Sequence, residues 1–241
     1  MNIYFDNAAT GGQKPASVVS AVASSLRVCA NPGRSGHALS LVCAKNVLKT
    51  RELLADVFNA PSPERVVFTK NCTEALNAFI FGALEKGDHV IATPLEHNSV
   101  LRPLERLKKL GVELWLITGD NERTAQAVAA ECDIEYVLSG VLPEDIKALL
   151  RENTKLVVVT AASNVTGAMP PLKEIRAALP ENVLFLCDGA QGGGHIPLKM
   201  QSLGLDGLAL AGHKGLFAMQ GGGALLLSER VRLKPLLYGG T

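Results

Sequence analysis

The chain has 241 residues, 47% of them hydrophobic and 20% charged, with a formal net charge of +1. That is enough apolar material for one large domain or two small ones, and it excludes a disordered chain. The balanced charge offers no field for nucleic acid or acidic lipid.

No apolar run reaches the roughly 18 residues of a membrane span. The start, MNIYFDNAAT, lacks a basic segment followed by an apolar one, so no leader is expected. The expectation is a soluble, cytoplasmic protein. The five cysteines, Cys29, Cys43, Cys72, Cys132 and Cys187, have spacings that fit neither a disulfide framework nor a zinc pattern. They read as reduced, partly buried thiols, and no metal site is expected.

In chain order, RVVFT (65–69) is a short β-branched strand. KNCTEALNAFIFGAL follows with Leu76, Phe79, Ile80 and Ala83 at helical spacing, and Gly87 with Asp88 ends it. HVIAT (89–93) is a second strand. NSVLRPLERLKKLG is a helix that stops at Gly111, its basic residues in the half that suits the macrodipole. VELWLIT (112–118) is a third strand. Residues 119–151 hold one or two helices and an edge strand, read as surface decoration. TKLVVVTAAS (154–163) and VLFLCDGA (183–190) are apolar throughout, as strands covered on both faces are. PLKEIRAALP between them is a short helix. LDGLALAGHK and GGGALLLS close the pattern too near each other for a helical crossover, so they form one antiparallel pair. The fold class is α/β, a three-layer α/β/α sandwich whose mostly parallel central sheet carries one antiparallel strand.

The residues that could carry chemistry sit at strand ends. In open α/β sheets ligands bind beyond the carboxyl ends of strands. Asp188 ends the apolar run VLFLC and is followed by Gly189-Ala190-Gln191. It is either a turn or cap aspartate or a carboxylate for a cation on a ligand. Asn71, Cys72 and Thr73 stand where a strand gives way to a helix. They make either a plain cap or an anion site built from free N–H groups, the helix dipole and the Thr73 hydroxyl. His97 follows another strand, and Asn164 follows a third beside a turn. His213-Lys214 follows the LALAG run. Five strand ends thus carry a phosphate-type helix start, a His, an Asn, an Asp-x-x-Gln and a His-Lys. Pyridoxal phosphate needs this set: a lysine for its Schiff base, an acid on its pyridinium nitrogen and an anion site for its phosphate.

YFDNAAT, NPGRSGHALS (31–40), FTKNCTEALN, EHNSVLRP, SNVTGAMPP, CDGAQGGGHIPL and DGLALAGHKGL occur in this order. In that order they resemble the class V aminotransferase family of pyridoxal-phosphate enzymes, fold type I, and within it the cysteine desulfurases. The resemblance implies an N-terminal arm (1–16) and a cofactor-binding large domain (17–241), with a small C-terminal domain missing. It implies that Lys214 holds the cofactor, Asp188 pairs with the pyridine nitrogen and Gln191 bonds the ring hydroxyl oxygen. His97 stacks on the ring and shuttles protons. Asn71, Cys72, Thr73 and His213 lie at the phosphate, and Asn164 beside ring and substrate carboxylate. Ala8 and Ala9 line the substrate side. Such enzymes are homodimers, and Thr241 matches a position that reaches the partner's phosphate. The implied reaction takes sulfur from L-cysteine, giving alanine and an enzyme persulfide that can pass to a sulfur-acceptor protein.

The chain departs from that pattern in places. Ala211 stands where many relatives have a phosphate-binding serine. Gly11-Gly12 replaces bulkier residues, which is expected to loosen that loop. None of the five cysteines sits at the sulfur-acceptor position, which such enzymes carry on the small domain together with an arginine for the substrate carboxylate. The alternatives are a selenocysteine lyase or aminotransferase of the same family, or a truncated, non-catalytic fragment. A dinucleotide-binding enzyme is set aside because QGGGHI and QGGGALLL do not have G-x-G-x-x-G spacing.

Overall fold

The computed structural model describes residues 3–33, 35–93, 95–118, 137–139 and 143–238. Its strands are β1 (Val66–Thr69), β2 (His89–Ala92), β3 (Glu113–Thr118), β4 (Val137–Ser139), β5 (Thr154–Thr160), β6 (Leu184–Asp188), β7 (Gly207–Ala211) and β8 (Gly223–Leu227). They form one sheet in the order β1-β8-β7-β6-β5-β2-β3-β4. β8 runs antiparallel to both its neighbours, and every other pairing is parallel. The segment 212–222 is too short to carry a crossover helix, so β8 must return alongside β7 in the opposite sense.

Alternate strand residues feed two separate cores. Leu156, Val158, Leu186, Ala209 and Leu225 face one side, with Leu76, Phe79 and Ile80 of α3 (Cys72–Ala83) and Val100 and Leu104 of α4 (Asn98–Lys108). Val157, Val159, Phe185, Leu208, Leu210 and Leu226 face the other. There they meet Phe58 of α2 (Ala38–Phe58), Ile146 of α5 (Pro143–Leu149), Ile175 of α6 (Leu172–Ala178) and Met200 of α7 (Met200–Leu203). Strands buried on both faces explain the continuous apolar runs, and the result is the expected three-layer sandwich.

Residues 137–139 are the expected edge strand, parallel to β3. Ile146 and Leu149 of α5 are buried at 1% and 6% exposure, so part of the 119–151 region builds core rather than decoration. The sequence reading assigned no elements before residue 65; there α1 (Ala16–Arg27) has no buried residue, and α2, the next helix in the chain, exposes Leu41, Leu48 and Leu53.

The topology also places the site. From β2, α4 leads outward to β3 on one face, and from β5, α6 leads to β6 on the other. The strand order therefore reverses between β2 and β5, a switch point of the kind that opens a crevice at the carboxyl edge.

Candidate active site

Five strands, β1, β2, β5, β6 and β7, each deliver a group to this edge. After β1, α3 starts with Asn71 as its cap. Asn71 Oδ1 accepts the N–H of Glu74 at 2.8 Å, and Glu74 Oε2 reaches back to the N–H of Lys70 at 2.6 Å. This reciprocal cap satisfies the third turn residue. It leaves the N–H groups of Cys72 and Thr73 without an acceptor among the described residues. Two free donors at a helix start are an anion site. β8 makes this start rigid, because a Cβ on Gly223 would lie 2.7 Å from the Asn71 carbonyl carbon.

Asp188 ends β6 with 2% exposure. Its Oδ1 accepts the N–H of Ala190 at 2.8 Å and the Cys72 thiol at 3.5 Å. No described residue meets Oδ2. Burial pushes the Asp188 carboxyl up, and the Ala190 N–H, Cys72, His97 and Lys214 pull it back. A carboxylate held by one oxygen, with the other open beside a cavity, suits a cationic ring nitrogen. Burial also pushes the Cys72 and Cys187 thiols well up, with the Asp188 charge adding to it. Neither is a ready nucleophile.

Lys214 follows β7 on the same edge, and Gln191 follows Asp188. Asn71, Cys72, Thr73, His97, Asn164, Asp188, Gln191, His213 and Lys214 all line one cavity, with Ser99, Thr160 and Ala211 among its other walls. Lys214 Nζ has no hydrogen-bond partner among the described residues. The turn after β5 is made by Ser163, whose Oγ accepts the N–H groups of Val165 and Thr166. The Asn164 side chain is thus left to the cavity. His97 caps α4 through Nδ1, which accepts the N–H of Ser99 at 3.1 Å. It lines the cavity and caps a helix at once.

The N-terminal arm closes one side. The carbonyl of His213 accepts from Gly11 N at 2.8 Å, Thr10 Oγ1 at 3.2 Å and Lys14 Nζ at 3.2 Å. A Cβ on Gly11 would sit 2.9 Å from the Lys214 carbonyl oxygen, and one on Gly12 would strike the Tyr4 ring. The glycines therefore let the arm pack closely, and the expected loosening is corrected. Burial and the nearby Lys214 and Lys14 charges lower the His213 pKa. Ala8 and Ala9 are exposed and outside the cavity lining, though the Ala8 carbonyl accepts from Gln191 Nε2 at 3.0 Å. Thr241 lies outside the described residues. Among those residues no cluster of metal-ligating side chains occurs, and no helix is long and apolar enough to cross a membrane.

Sequence reasoning missed Ser99, Thr10, Lys14 and Glu96. Ser99 was readable as the second polar residue after the histidine. Glu96, 5% exposed, accepts from Thr93 Oγ1 and the N–H of Thr160, both at 2.7 Å. Nothing in its spacing marked it as buried.

The family model described as Aminotransferase class-V matches residues 3–241. The chain belongs to the class V aminotransferase family. A probable cysteine desulfurase of Pyrococcus abyssi is 35% identical over 99% of this chain and 57% of its own. The apo cysteine desulfurase of Thermococcus onnurineus NA1 superposes with a TM-score of 0.82 at 35% identity, covering 99% of this chain and 57% of that one. A structure described as SspA in complex with cysteine gives 0.83 at 25% identity, over 98% and 65%. The chain spans about half the length of the curated relatives it matches. Several of its class V relatives are thus named as cysteine desulfurases.

Proposed function

We propose that this chain is the cofactor-binding part of a pyridoxal-phosphate-dependent enzyme that removes sulfur from L-cysteine, giving alanine and an enzyme persulfide. The observation that carries it is the convergence of Lys214, Asp188 and the uncapped N–H groups of Cys72 and Thr73 on one cavity. An amine, a half-satisfied buried carboxylate and an anion site match the aldehyde, ring nitrogen and phosphate of that cofactor. The names of the relatives supply the substrate.

Pyridoxal phosphate, when bound, supplies an electron sink for the substrate's α-carbon. Lys214 would hold it through Nζ and, once the substrate amine takes that place, move a proton at the α-carbon. Asp188 Oδ2 would face the ring nitrogen while Ala190 and Cys72 keep the carboxylate from turning. Gln191 and Asn164 would orient ring oxygen and substrate carboxylate. His97 would stack on the ring and exchange a proton at Nε2. His213 and the α3 start would hold the phosphate. The sulfur-accepting thiol is assigned to the small domain of such enzymes, since Cys72 and Cys187 are buried and kept protonated.

A homodimer is part of the proposal. The unburied α1 and the exposed leucines of α2 are an apolar surface of the kind a partner covers. The free thiols of Cys29, Cys43, Cys72 and Cys187 suit a reducing, cytoplasmic setting. Domain limits of 1–16 and 17–241 are proposed with it.

The test is an absorption spectrum with added pyridoxal phosphate. The wild type should gain a visible band that borohydride bleaches, and Lys214→Ala should not. No band in the wild type overturns the cofactor. Sulfide and alanine release from L-cysteine by the full-length enzyme tests the substrate. Turnover of other amino acids without sulfide overturns it in favour of an aminotransferase, and selenide release from selenocysteine alone favours a lyase for that substrate.

A further inference from the structure

Thr73 Oγ1 lies 2.8 Å from Ser99 Oγ, and Ser99 Oγ lies 2.8 Å from His97 Nδ1. The backbone N–H of Ser99 donates to the same nitrogen. All three side chains line the cavity, and Ser99 is only 8% exposed.

Proton accounting fixes the direction of these bonds. A ring nitrogen that accepts a backbone N–H carries no proton, so a neutral His97 has its proton on Nε2. Ser99 Oγ, facing the lone pair at Nδ1, therefore donates to it. Ser99 then has room to accept, and Thr73 supplies its single O–H. The chain of bonds runs Thr73 to Ser99 to His97.

That arrangement competes with the anion site. The Thr73 hydroxyl has one proton and cannot give it to Ser99 and to an anion at the α3 start together. A bond to a charged acceptor is roughly twice as strong as a neutral one, so an anion takes the proton. Thr73 Oγ1 then becomes an acceptor, and the Ser99 hydroxyl turns to it. His97 Nδ1 keeps only the backbone N–H.

We propose that Ser99 is a positioning residue that couples anion occupancy at Thr73 to the hydrogen bonding of His97. With no anion, two donors converge on the Nδ1 lone pair and make the Nε2–H more acidic. With an anion at Thr73, one donor is withdrawn and His97 holds its Nε2 proton more tightly. Filling the phosphate end of the cavity thereby sets how readily His97 gives up that proton. The inference rests on the reading of this cavity as a phosphate-bearing cofactor site.

The test is nitrogen NMR of the uniformly ¹⁵N-labelled chain at pH 8.5, where an ordinary imidazole is neutral. His97→Asn assigns the signal by its loss. Inorganic phosphate and pyridoxal phosphate should each move the Nδ1 resonance downfield, and phosphate-free pyridoxal should not. Ser99→Ala should start at the downfield position and stay there, while Ser99→Thr should respond as the wild type does. A static Nδ1 signal, an equal response in Ser99→Ala, or no effect of phosphate on the Thr73 amide overturns the proposal. An intact phosphate response without a borohydride-sensitive visible band supports the coupling and overturns the cofactor reading instead.

Discussion

Glu96 Oε1 accepts the backbone N–H of Thr160 at 2.7 Å, tying the loop after β2 to the end of β5. The Thr93 hydroxyl shares that oxygen, while Oε2 is buried without a partner among the described residues. Burial pushes the Glu96 carboxyl up from about 4.5 to about 8, with Asp188 adding to it and the bonds from Thr93 and Thr160 opposing.

The folded chain therefore keeps a proton on Glu96 that the unfolded chain releases above pH 4.5. Between pH 4.5 and 8 the native state binds more protons, so stability falls as pH rises and levels off above 8. At 1.36 kcal/mol per unit the full effect is on the order of 5 kcal/mol. Urea midpoints from pH 5 to 9 should show this decline. Glu96→Gln, which mimics the protonated acid, should flatten it. An equal slope in that variant shows that Glu96 is not the source.

Asp188 is the only described carboxylate lining the cavity. Asp188→Asn keeps the Ala190 bond but removes the charge proposed to pair with the ring nitrogen. A lost bond to a charged group costs about 1.5–3 kcal/mol, or roughly tenfold to a hundredfold in Kd. Titration with pyridoxal phosphate should read that loss, and Cys72→Ser, which keeps a donor to Oδ1, should stay close to the wild type.

Gly11 meets backbone, not a flexible side chain, so an added methyl has no easy escape. Gly11→Ala should cost about 1–3 kcal/mol by overpacking and free the arm from the His213 carbonyl. Limited proteolysis should then cut within residues 3–14 well before the body of the chain. Unchanged resistance would mean the arm is not held there.

Asp206 accepts from the N–H of Phe185 at 2.9 Å, Ser228 Oγ at 2.8 Å and Arg230. Arg230 also donates to the Val183 carbonyl at 2.8 Å. Arg230→Ala leaves a buried carboxylate without its cation, a change that costs about 3–5 kcal/mol in buried pairs. Arg230 is partly exposed, so the lower end of that range is expected in the urea midpoint. Paired with Asp206→Asn the loss should shrink, because no charge is then stranded.

The sheet was legible because β5, β6 and β7 are buried on both faces and so are apolar at every position. The site was legible because its residues stand at strand ends beside helix starts, as Asn71-Cys72-Thr73 and His97 do. Other features rest on contacts between distant segments. Glu96 looks like a surface acid until Thr160 folds over it, 64 residues on. The hold of Gly11 and Lys14 on the His213 carbonyl spans almost the whole chain. The helix α2 carries apolar residues around much of its circumference, so its pattern had no single face to read.

β8 alone bonds β1 to the rest of the sheet, with Val66 opposite Leu226 and Thr69 opposite Gly223. The ribosome makes β1 early and β8 last of the described strands. During synthesis β1 therefore has no strand to pair with until Leu227 has left the exit tunnel, although α3 can already dock on α4, β6 and β7. The other described strands can pair before then, and β1, whose end leads into the Cys72 and Thr73 N–H groups, is the piece that must wait. A nascent chain halted short of β8 would thus hold its parallel strands together while the strand that leads into α3 stays unpaired, and β8 is the clasp that fixes it.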